Sequence, residues 1–353
     1  MPAMNRRAFL ESATCAAALA AARPLLAAAG AAGSRIGICT FSCHQHWKAV
    51  GAKHAGVKFA DAAGFYRYAR ELGAEAVQTP LRGAEPRGIR ELVERTGGYY
   101  EGELRLPKTD TELAAFENEV RQSREAGATI ARAVFTNARR YEALRTRAEF
   151  EAFRQQSKRT LALIEPVLRR HRLKVAIENH KDHTAEELAA LMKAASSEWI
   201  GVLVDTGNNL ALLETPEETI AALAPSAFSV HLKDMTVLAV DEGFLLSEVP
   251  LGSGFLDLPR IVGTLRKANP ALVLNLEMAT RDPLRVPCLK DGFFATFPDR
   301  KTSHLAAALQ RVKDNPPKAP APTVSGKPTA QVLAEEEQHN RHGLGWMKQR
   351  LAI

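Results

Sequence analysis

The sequence predicts a single-domain α/β protein that folds as a (β/α)8 barrel, and three observations support this. The chain of 353 residues suits one such barrel with extensions, since barrels of this class take about 250 residues before insertions. From Ser34 onward, short apolar runs alternate with longer amphipathic stretches, which is typical of a parallel sheet covered by helices. About eight such repeats favour a closed barrel over an open doubly wound sheet. No Gly-x-Gly-x-x-Gly turn follows the first strand, which also argues against the open sheet, and Gly37 lies inside that strand.

The predicted elements follow this alternation along the chain. Seven apolar runs and the alternating segment Tyr99–Leu106 are the expected strands. The seven runs are Ile36–Phe41, Ala76–Thr79, Ile130–Thr136, Lys174–Glu178, Val202–Asp205, Phe228–Leu232 and Leu272–Glu277. The helices expected between the strands are Lys58–Leu72, Gly88–Arg95, Thr111–Ala126, Arg147–Arg170, Ala185–Ala194, Glu217–Leu223 and Leu258–Lys267. Thr184 and Thr215 each stand just before a pair of glutamates, as hydroxyl caps do at helix starts.

The first 29 residues resemble a twin-arginine export signal. Arg6 and Arg7 are followed by Phe-Leu, an alanine-rich run and small residues up to Ala29. We therefore expect cleavage near Ala29 and a periplasmic mature protein; an alanine-rich helix of a cytoplasmic protein is the less favoured alternative. Arg23 and Pro24 interrupt the apolar run, which is shorter than the roughly 20 residues needed to cross a bilayer. No membrane span is predicted.

The composition changes again after residue 313. Asn315–Pro322 is too rich in proline to continue a helix or a central strand, so it is a predicted linker. From Thr329 to His342 the sequence favours one polar helix on the barrel surface. Glu335–Glu337 with two nearby histidines could bind a metal, but a solvated helix face is the favoured interpretation. The predicted organisation is an export signal at 1–29, a barrel at 34–313 and a linker with a helical tail at 314–353.

Charge and cysteine content argue against several classes of protein. The formal net charge is +7, of which the first 29 residues carry +2. The remaining lysines and arginines alternate with acidic residues along helical stretches, as on solvated helix faces, so no nucleic-acid partner is predicted. Outside the export segment the cysteines are Cys39, Cys43 and Cys288, with no zinc-type pairing, and buried thiols are expected.

Four acidic or imidazole side chains stand where the later predicted strands end: Glu178, Asp205, His231 and Glu277. In a barrel these ends open on one face, where active sites lie. Three carboxylates and one imidazole suit Mn²⁺, Mg²⁺ or Co²⁺ in a roughly octahedral shell, with about two positions left for water or a chelating substrate. Helix caps and buried ion pairs are the alternative, but burying three carboxylates without a cation would be costly.

The same segments resemble the xylose isomerase-like barrel superfamily of sugar phosphate isomerases and epimerases. The motifs that carry the resemblance are Ile177–His180, Val204–Asn208, His231–Asp234, Pro250–Gly254 and Leu276–Glu277. The resemblance spans roughly Ser34 to Lys313 and implies that the four strand-end residues bind one divalent metal. It also implies that Glu178 and Glu277 move the proton, as the matching glutamates of ketose 3-epimerases do. Asn208 departs from that pattern, because those enzymes often carry a histidine there. The ligand cluster of the endonuclease IV branch is not evident, which argues against abasic-site repair.

The predicted reaction is proton transfer next to a carbonyl of a small carbohydrate. A metal that chelates the carbonyl and an adjacent hydroxyl would stabilise the enediolate left when a carboxylate takes the α-proton. Reprotonation elsewhere makes the enzyme an isomerase or epimerase, whereas loss of a β-glycosidic oxygen makes it a lyase acting on a 3-keto-glycoside. A catalytically silent sugar-binding barrel is a third alternative, disfavoured because binding alone would not require two candidate bases.

Residues near the proposed ligands are candidates for contacts with the substrate: His180, Asn208, Lys233 and Arg281. His44, His46 and Trp47 could form an aromatic wall for a sugar ring, although a packed loop is slightly favoured. Export favours a neutral sugar, a glycoside or a keto-sugar over an intracellular sugar phosphate. The sequence permits a homo-oligomer without specifying one.

Overall fold

The computed structural model describes residues 35–351 and confirms the predicted fold class. The strands are β1 (Ile36–Cys39), β2 (Ala76–Gln78), β3 (Tyr99–Glu103), β4 (Ile130–Ala133), β5 (Lys174–Glu178), β6 (Ile200–Asp205), β7 (Ala227–Leu232), β8 (Asp234–Val240), β9 (Gly243–Val249), β10 (Val273–Leu276) and β11 (Leu284–Val286). Eight of them close into a parallel barrel in the order β1, β10, β7, β6, β5, β4, β3 and β2. Each of these eight matches a predicted strand. The export signal expected at 1–29 lies outside the described residues and stays a prediction.

Helices cover the outside of the barrel. They are α1 (His44–Gly51), α2 (Ala62–Leu72), α3 (Pro86–Thr96), α4 (Leu113–Glu125), α5 (Arg140–Ala143), α6 (Arg147–His171), α7 (Ala185–Ala195), α8 (Pro216–Leu223), α9 (Leu258–Ala268), α10 (Arg300–Ser303), α11 (Leu305–Asp314) and α12 (Thr329–Arg350). Thr184 and Thr215 each form a capping box with a glutamate three residues later, as predicted. Among the described residues, no helix is long and apolar enough to cross a membrane.

One layer of the barrel interior is polar. Glu101 of β3 is fully buried, and its Oε2 accepts hydrogen bonds from Gln78 (2.6 Å), Ser229 (2.8 Å) and Asn275 (2.8 Å). Gly37 leaves the space for this layer, because a Cβ at that position would lie 2.2 Å from Asn275 Oδ1. A larger residue in β1 would therefore displace the amide and disturb the hydrogen bonds around Glu101.

A small antiparallel sheet follows β7, and the sequence analysis did not predict it. β8 and β9 form a hairpin, and β11 pairs with β9. Two apolar runs flank the turn at 241–242, which is a hairpin signal, but a strict alternation of strand and helix has no place for it. Asp234 fixes the loop after the hairpin, since its Oδ2 accepts hydrogen bonds from the N–H groups of Gly252 and Gly254, both at 2.9 Å. The insertion brings Glu248 of β9 close to the ends of the barrel strands.

The C-terminal helix is longer and more buried than the predicted polar helix at 329–342. It runs to Arg350 and packs against β1, β10 and α1. It thus occupies the outer position between β10 and β1, where the eighth helix of a (β/α)8 barrel lies. Asn340 is buried and donates a hydrogen bond to the Ser42 carbonyl (2.7 Å). Glu336 is also fully buried, so the prediction of a solvated face for Glu335–Glu337 is wrong at this residue.

Candidate metal centre

The four strand-end side chains converge at the carboxyl ends of β5, β6, β7 and β10. One ligand atom from each of Glu178, Asp205, His231 and Glu277 lies within 4.8 Å of the others. His231 Nδ1 is 2.5 Å from Glu277 Oε2, 3.7 Å from Glu178 Oε2 and 4.0 Å from Asp205 Oδ2. All four residues are buried. The register of the parallel strands produces this arrangement, because it sets Asp205 beside His231 across β6 and β7.

The atoms that face one another in this cluster fit a divalent cation. Asp205 Oδ2, His231 Nδ1 and Glu277 Oε2 make no hydrogen bond of normal geometry with the described residues. Their close contacts are ionic: Lys233 Nζ lies 2.8 Å from Asp205 Oδ2, and His231 Nδ1 lies 2.5 Å from Glu277 Oε2. Buried polar atoms are normally satisfied, and buried carboxylates are normally paired or bind a metal. Two further ligand positions around a six-coordinate ion would remain for water or substrate oxygens. The donor set of three carboxylates and an imidazole therefore has the composition of a site for a hard or borderline divalent ion.

Gln78 fixes the orientation of the His231 ring. Its Nε2 donates to Glu101, so its Oε1 is free to accept a hydrogen bond from His231 Nε2 at 2.6 Å. Without a metal, the carboxylates of Glu277 and Glu178 raise the pKa of His231 well above its ordinary value, against the effect of burial. When the ring is neutral, as a metal ligand must be, this hydrogen bond keeps the proton on Nε2 and directs the Nδ1 lone pair towards the three carboxylates. Burial raises the pKa of Glu101, the last member of this chain of hydrogen bonds.

Replacing Gln78 with leucine is expected to weaken Mn²⁺ binding by about 10- to 100-fold, the usual cost of losing a residue that orients a metal ligand. Leucine cannot accept a hydrogen bond from His231 Nε2. The tautomer protonated on Nδ1 then becomes accessible, and Nδ1 is no longer held in the form that can bind a metal. Calorimetric titration of metal-free protein with MnCl₂ measures the change. Gln155→Leu on the exposed side of α6 is the control and should leave the affinity unchanged. Equal affinities for the Gln78→Leu and wild-type proteins would contradict this role.

The carboxylate of Glu178 accepts hydrogen bonds from two neighbouring side chains. Arg132 Nε is 2.5 Å from Glu178 Oε2, and Asn208 Nδ2 donates to Oε1 at 2.9 Å. Burial acts to raise the pKa of Glu178, but the charges of Arg132 and His231 outweigh it and lower the pKa to about 2. Arg132 was not among the predicted site residues, although an arginine in the middle of an apolar strand is an unusual feature. Glu178 is thus held in its ionised form and is a weak base.

The predicted substrate-binding residues all lie around the centre, but two of them are bound by protein carboxylates. Lys233 Nζ is 2.8 Å from Asp205 Oδ2 and 3.3 Å from Glu277 Oε1. The Arg281 guanidinium binds both carboxylate oxygens of Glu248, at 2.5 and 3.0 Å. Lys233 therefore neutralises the carboxylates of Asp205 and Glu277. Arg281 is held by Glu248, which was not among the predicted site residues.

His180 and Asn208 are the other two predicted substrate-binding residues. The Nδ1 atom of His180 is buried and has no hydrogen-bond partner among the described residues. Burial and the nearby charge of Lys181 lower the pKa of His180 to about 4, so the ring is neutral at pH 7. Asn208 Oδ1 accepts hydrogen bonds from Lys181 and, at 3.3 Å, from Lys233. Lys181 is a further member of the site that the sequence analysis did not identify.

The aromatic wall considered for residues after β1 does not form. Trp47 lies in α1, packs against the rings of Phe59 and Phe65 and is covered by the Arg82 guanidinium at 4.2 Å. His46 is buried and hydrogen-bonded to Glu336. Both side chains are packed inside the protein, but in helix α1 instead of the packed loop that the sequence analysis favoured.

A cavity of about 1100 Å³ is lined by Arg132 and Glu103 at one side and by Phe135 and Phe153 towards α6, while none of the four candidate metal ligands lines it. Arg132 belongs to both places, since it also binds Glu178. Sites for small molecules usually measure about 300–1,000 Å³. The cavity therefore has room for a ligand larger than one monosaccharide.

Comparisons with known proteins agree with this architecture. A 108-residue stretch is 28% identical to 3-oxo-isoapionate decarboxylase of Pectobacterium atrosepticum, and it spans 30% of this chain and 39% of that protein. D-psicose 3-epimerase with D-tagatose from Clostridium cellulolyticum H10 superposes with a TM-score of 0.56 at 10% identity, over 90% of this chain and 99% of that one. The IOLI protein with a bound zinc atom superposes with a TM-score of 0.51 at 13% identity, over 79% and 95% of the two chains.

These structural similarities show the fold, since the identities are low. The family model described as xylose isomerase-like TIM barrel matches residues 66–292. That match includes seven barrel strands from β2 to β10 and all four residues of the candidate metal centre. The chain therefore belongs to the xylose isomerase-like TIM barrel family.

Proposed function

We propose that this protein is a divalent-metal-dependent isomerase or epimerase that moves a proton next to a carbonyl of a small carbohydrate. The observation that carries the proposal is the convergence of Glu178, Asp205, His231 and Glu277 at one end of the barrel. When bound, a divalent ion supplies Lewis acidity that draws charge from a chelated carbonyl and its neighbouring hydroxyl. Mn²⁺, Mg²⁺ and Co²⁺ suit this set of donors. The IOLI protein, which has the same fold and a bound zinc atom, supports the proposal that this barrel binds a metal.

Glu277 is the better candidate for the base that takes the proton. Its side chain is 7% exposed, against about 1% or less for Glu178 and Asp205, so it is the carboxylate most open to a substrate. Basicity does not separate the two glutamates: burial acts to raise both pKa values, but Arg132 and His231 lower the pKa of Glu178 to about 2, and Lys233 and His231 lower the pKa of Glu277 well below its ordinary value. A single base can take the proton from one carbon and return it to the neighbouring carbon, as in aldose–ketose isomerisation. Epimerisation would instead require Glu178 to supply a proton from the opposite face.

A lyase acting on a 3-keto-glycoside is the second candidate. Elimination needs one base to take the proton and room for the departing group, and the 1100 Å³ cavity beside Arg132 provides such room. A third outcome, loss of carbon dioxide from a β-keto acid, relies on the same withdrawal of charge from the carbonyl. The similarity to 3-oxo-isoapionate decarboxylase supports decarboxylation as a candidate reaction.

Exchange of substrate hydrogen with solvent separates these reactions. The purified protein with MnCl₂ is incubated in deuterated water with pentoses, hexoses, 3-keto-glucosides, sugar acids and β-keto sugar acids, and the products are analysed by mass spectrometry and NMR. An isomerase or epimerase introduces deuterium at a carbon next to the carbonyl, whereas a lyase releases the aglycone. Neither label nor release across the panel, from protein that binds Mn²⁺, would contradict the proposal and favour a sugar-binding barrel.

A further inference from the structure

Lys181 is a buried ammonium group without a protein carboxylate to pair with. It is 5% exposed, and among the described residues no carboxylate oxygen lies within 4.0 Å of its Nζ. Its hydrogen bond goes to the neutral amide oxygen of Asn208. Lys233, the neighbouring lysine, has Asp205, Glu248 and Glu277 within that distance. Burying an unpaired charge is costly, so the position of Lys181 calls for an anion that the described chain does not supply.

The backbone holds Lys181 in this position. The residue adopts a left-handed conformation with φ of 63°, which disfavours a side chain other than glycine or asparagine. The Lys181 carbonyl accepts a hydrogen bond from the Arg140 N–H at 2.9 Å, and the Arg140 side chain is buried against the following loop. A strained residue that is fixed from outside indicates a local conformation maintained for a function.

The location of Lys181 is next to the metal ligands. Asn208 joins the two, because its Nδ2 donates to Glu178 Oε1 while its Oδ1 accepts from Lys181. The Lys233 ammonium contacts the same Oδ1 at 3.3 Å, so two positive charges share one acceptor. An anion bound between Lys181 and the metal centre would relieve this repulsion.

The charges of the site also leave a place for one anion. Five carboxylates and four cations form one network through ion pairs and Asn208. The carboxylates are Glu103, Glu178, Asp205, Glu248 and Glu277, and the cations are Arg132, Lys181, Lys233 and Arg281. Their formal net charge is −1, and it becomes +1 when a divalent ion binds and His231 is held neutral as a ligand. A substrate that carries a single negative charge would bring the total to zero.

We infer that Lys181 and Asn208 bind the carboxylate of a sugar-acid substrate, so that the preferred substrate is a monoanion rather than a neutral sugar. This inference rests on the proposed metal-dependent function and names its substrate class. A carboxylate matches one ammonium and one unit of charge, whereas a phosphate dianion would leave the site with a net negative charge. Burial and the nearby charge of Lys233 lower the pKa of Lys181 to about 8, which leaves most of the ammonium charged at pH 7.

Binding of matched probes tests the inference. D-erythronate and erythritol have the same four-carbon chain and differ in a carboxylate against a hydroxymethyl group. Calorimetric titrations of the Mn²⁺-loaded protein should show at least about tenfold tighter binding of D-erythronate. In Lys181→Met, which keeps the length of the side chain and removes the charge, D-erythronate should bind about 10- to 100-fold more weakly. Erythritol should bind both proteins equally, and Lys318→Met, at an exposed position, should behave as wild type.

Several results would overturn the inference. An unchanged D-erythronate affinity in Lys181→Met would show that the carboxylate binds the metal directly, without the lysine. Equal binding of D-erythronate and erythritol to wild-type protein would exclude a carboxylate site, and this comparison needs no variant. Tighter binding of D-erythrose 4-phosphate than of D-erythronate would assign the anion to a phosphate. Titration with MnCl₂ alone comes first: protein that fails to bind Mn²⁺ contradicts the metal centre, whereas Mn²⁺ binding without a preference for D-erythronate contradicts the carboxylate site alone.

Discussion

Glu277→Gln is expected to lower kcat by about 10³-fold or more, the largest effect that we predict for a single substitution. The glutamine keeps the size of the side chain but cannot accept a proton at pH 7. It also removes one negative charge next to His231 Nδ1 and Lys233 Nζ, which lie 2.5 and 3.3 Å from the carboxylate oxygens. The measurement is the initial rate of solvent deuterium exchange on the substrate identified by the panel, at saturating MnCl₂.

Metal binding by the same variant separates the two roles of Glu277. An inactive variant that still binds Mn²⁺ supports the base, whereas an inactive variant that no longer binds it supports a ligand alone. Glu151→Gln makes the same chemical change on α6, where Glu151 pairs with Arg154 at the surface, and it should retain full activity. Wild-type rates in Glu277→Gln would exclude this residue as the base.

The strand ends of the barrel could be predicted because they depend on a local pattern. Short apolar runs that each end in an acidic residue or histidine identify Glu178, Asp205, His231 and Glu277 without knowledge of distant contacts. A parallel barrel then requires those ends to meet on one face. The structure agrees, with ligand atoms of all four residues within 4.8 Å.

The cations of the site could not be predicted in the same way, because their partners are distant in the chain. Lys181 lies in a loop, and only the folded chain shows that its ammonium group is buried without a carboxylate. Glu248 reaches Arg281 through a hairpin inserted into the barrel. Arg132 is adjacent to a ligand that lies 46 residues away. Such contacts depend on how the whole chain folds. The spacing of apolar residues in a short stretch of sequence carries no information about them.

Glu336 shows the same limit at the C-terminus and leads to the second prediction. Glu336 Oε1 accepts hydrogen bonds from the His46 N–H (3.0 Å) and from His46 Nδ1 (2.8 Å), and its Oε2 accepts one from the Gln45 N–H (2.7 Å). These backbone groups belong to the first turn of α1, which has no side-chain cap of its own. Glu336 thus caps a helix 290 residues away in the chain, and its negative charge lies at the positive end of the helix dipole.

Glu336→Ala is expected to lower the free energy of unfolding by about 3–5 kcal/mol, because it removes a buried carboxylate that accepts three hydrogen bonds. The substitution leaves two backbone donors and the ring of His46 unsatisfied in a buried place, and each such group costs about 1–3 kcal/mol. Urea unfolding of metal-loaded protein, followed by circular dichroism, measures the change. Glu335→Ala removes the adjacent glutamate, which pairs with Lys327 in a half-exposed position, and should cost about 1 kcal/mol or less. Equal losses in the two variants would show that α12 contributes general packing to the barrel wall, with no specific cap on α1.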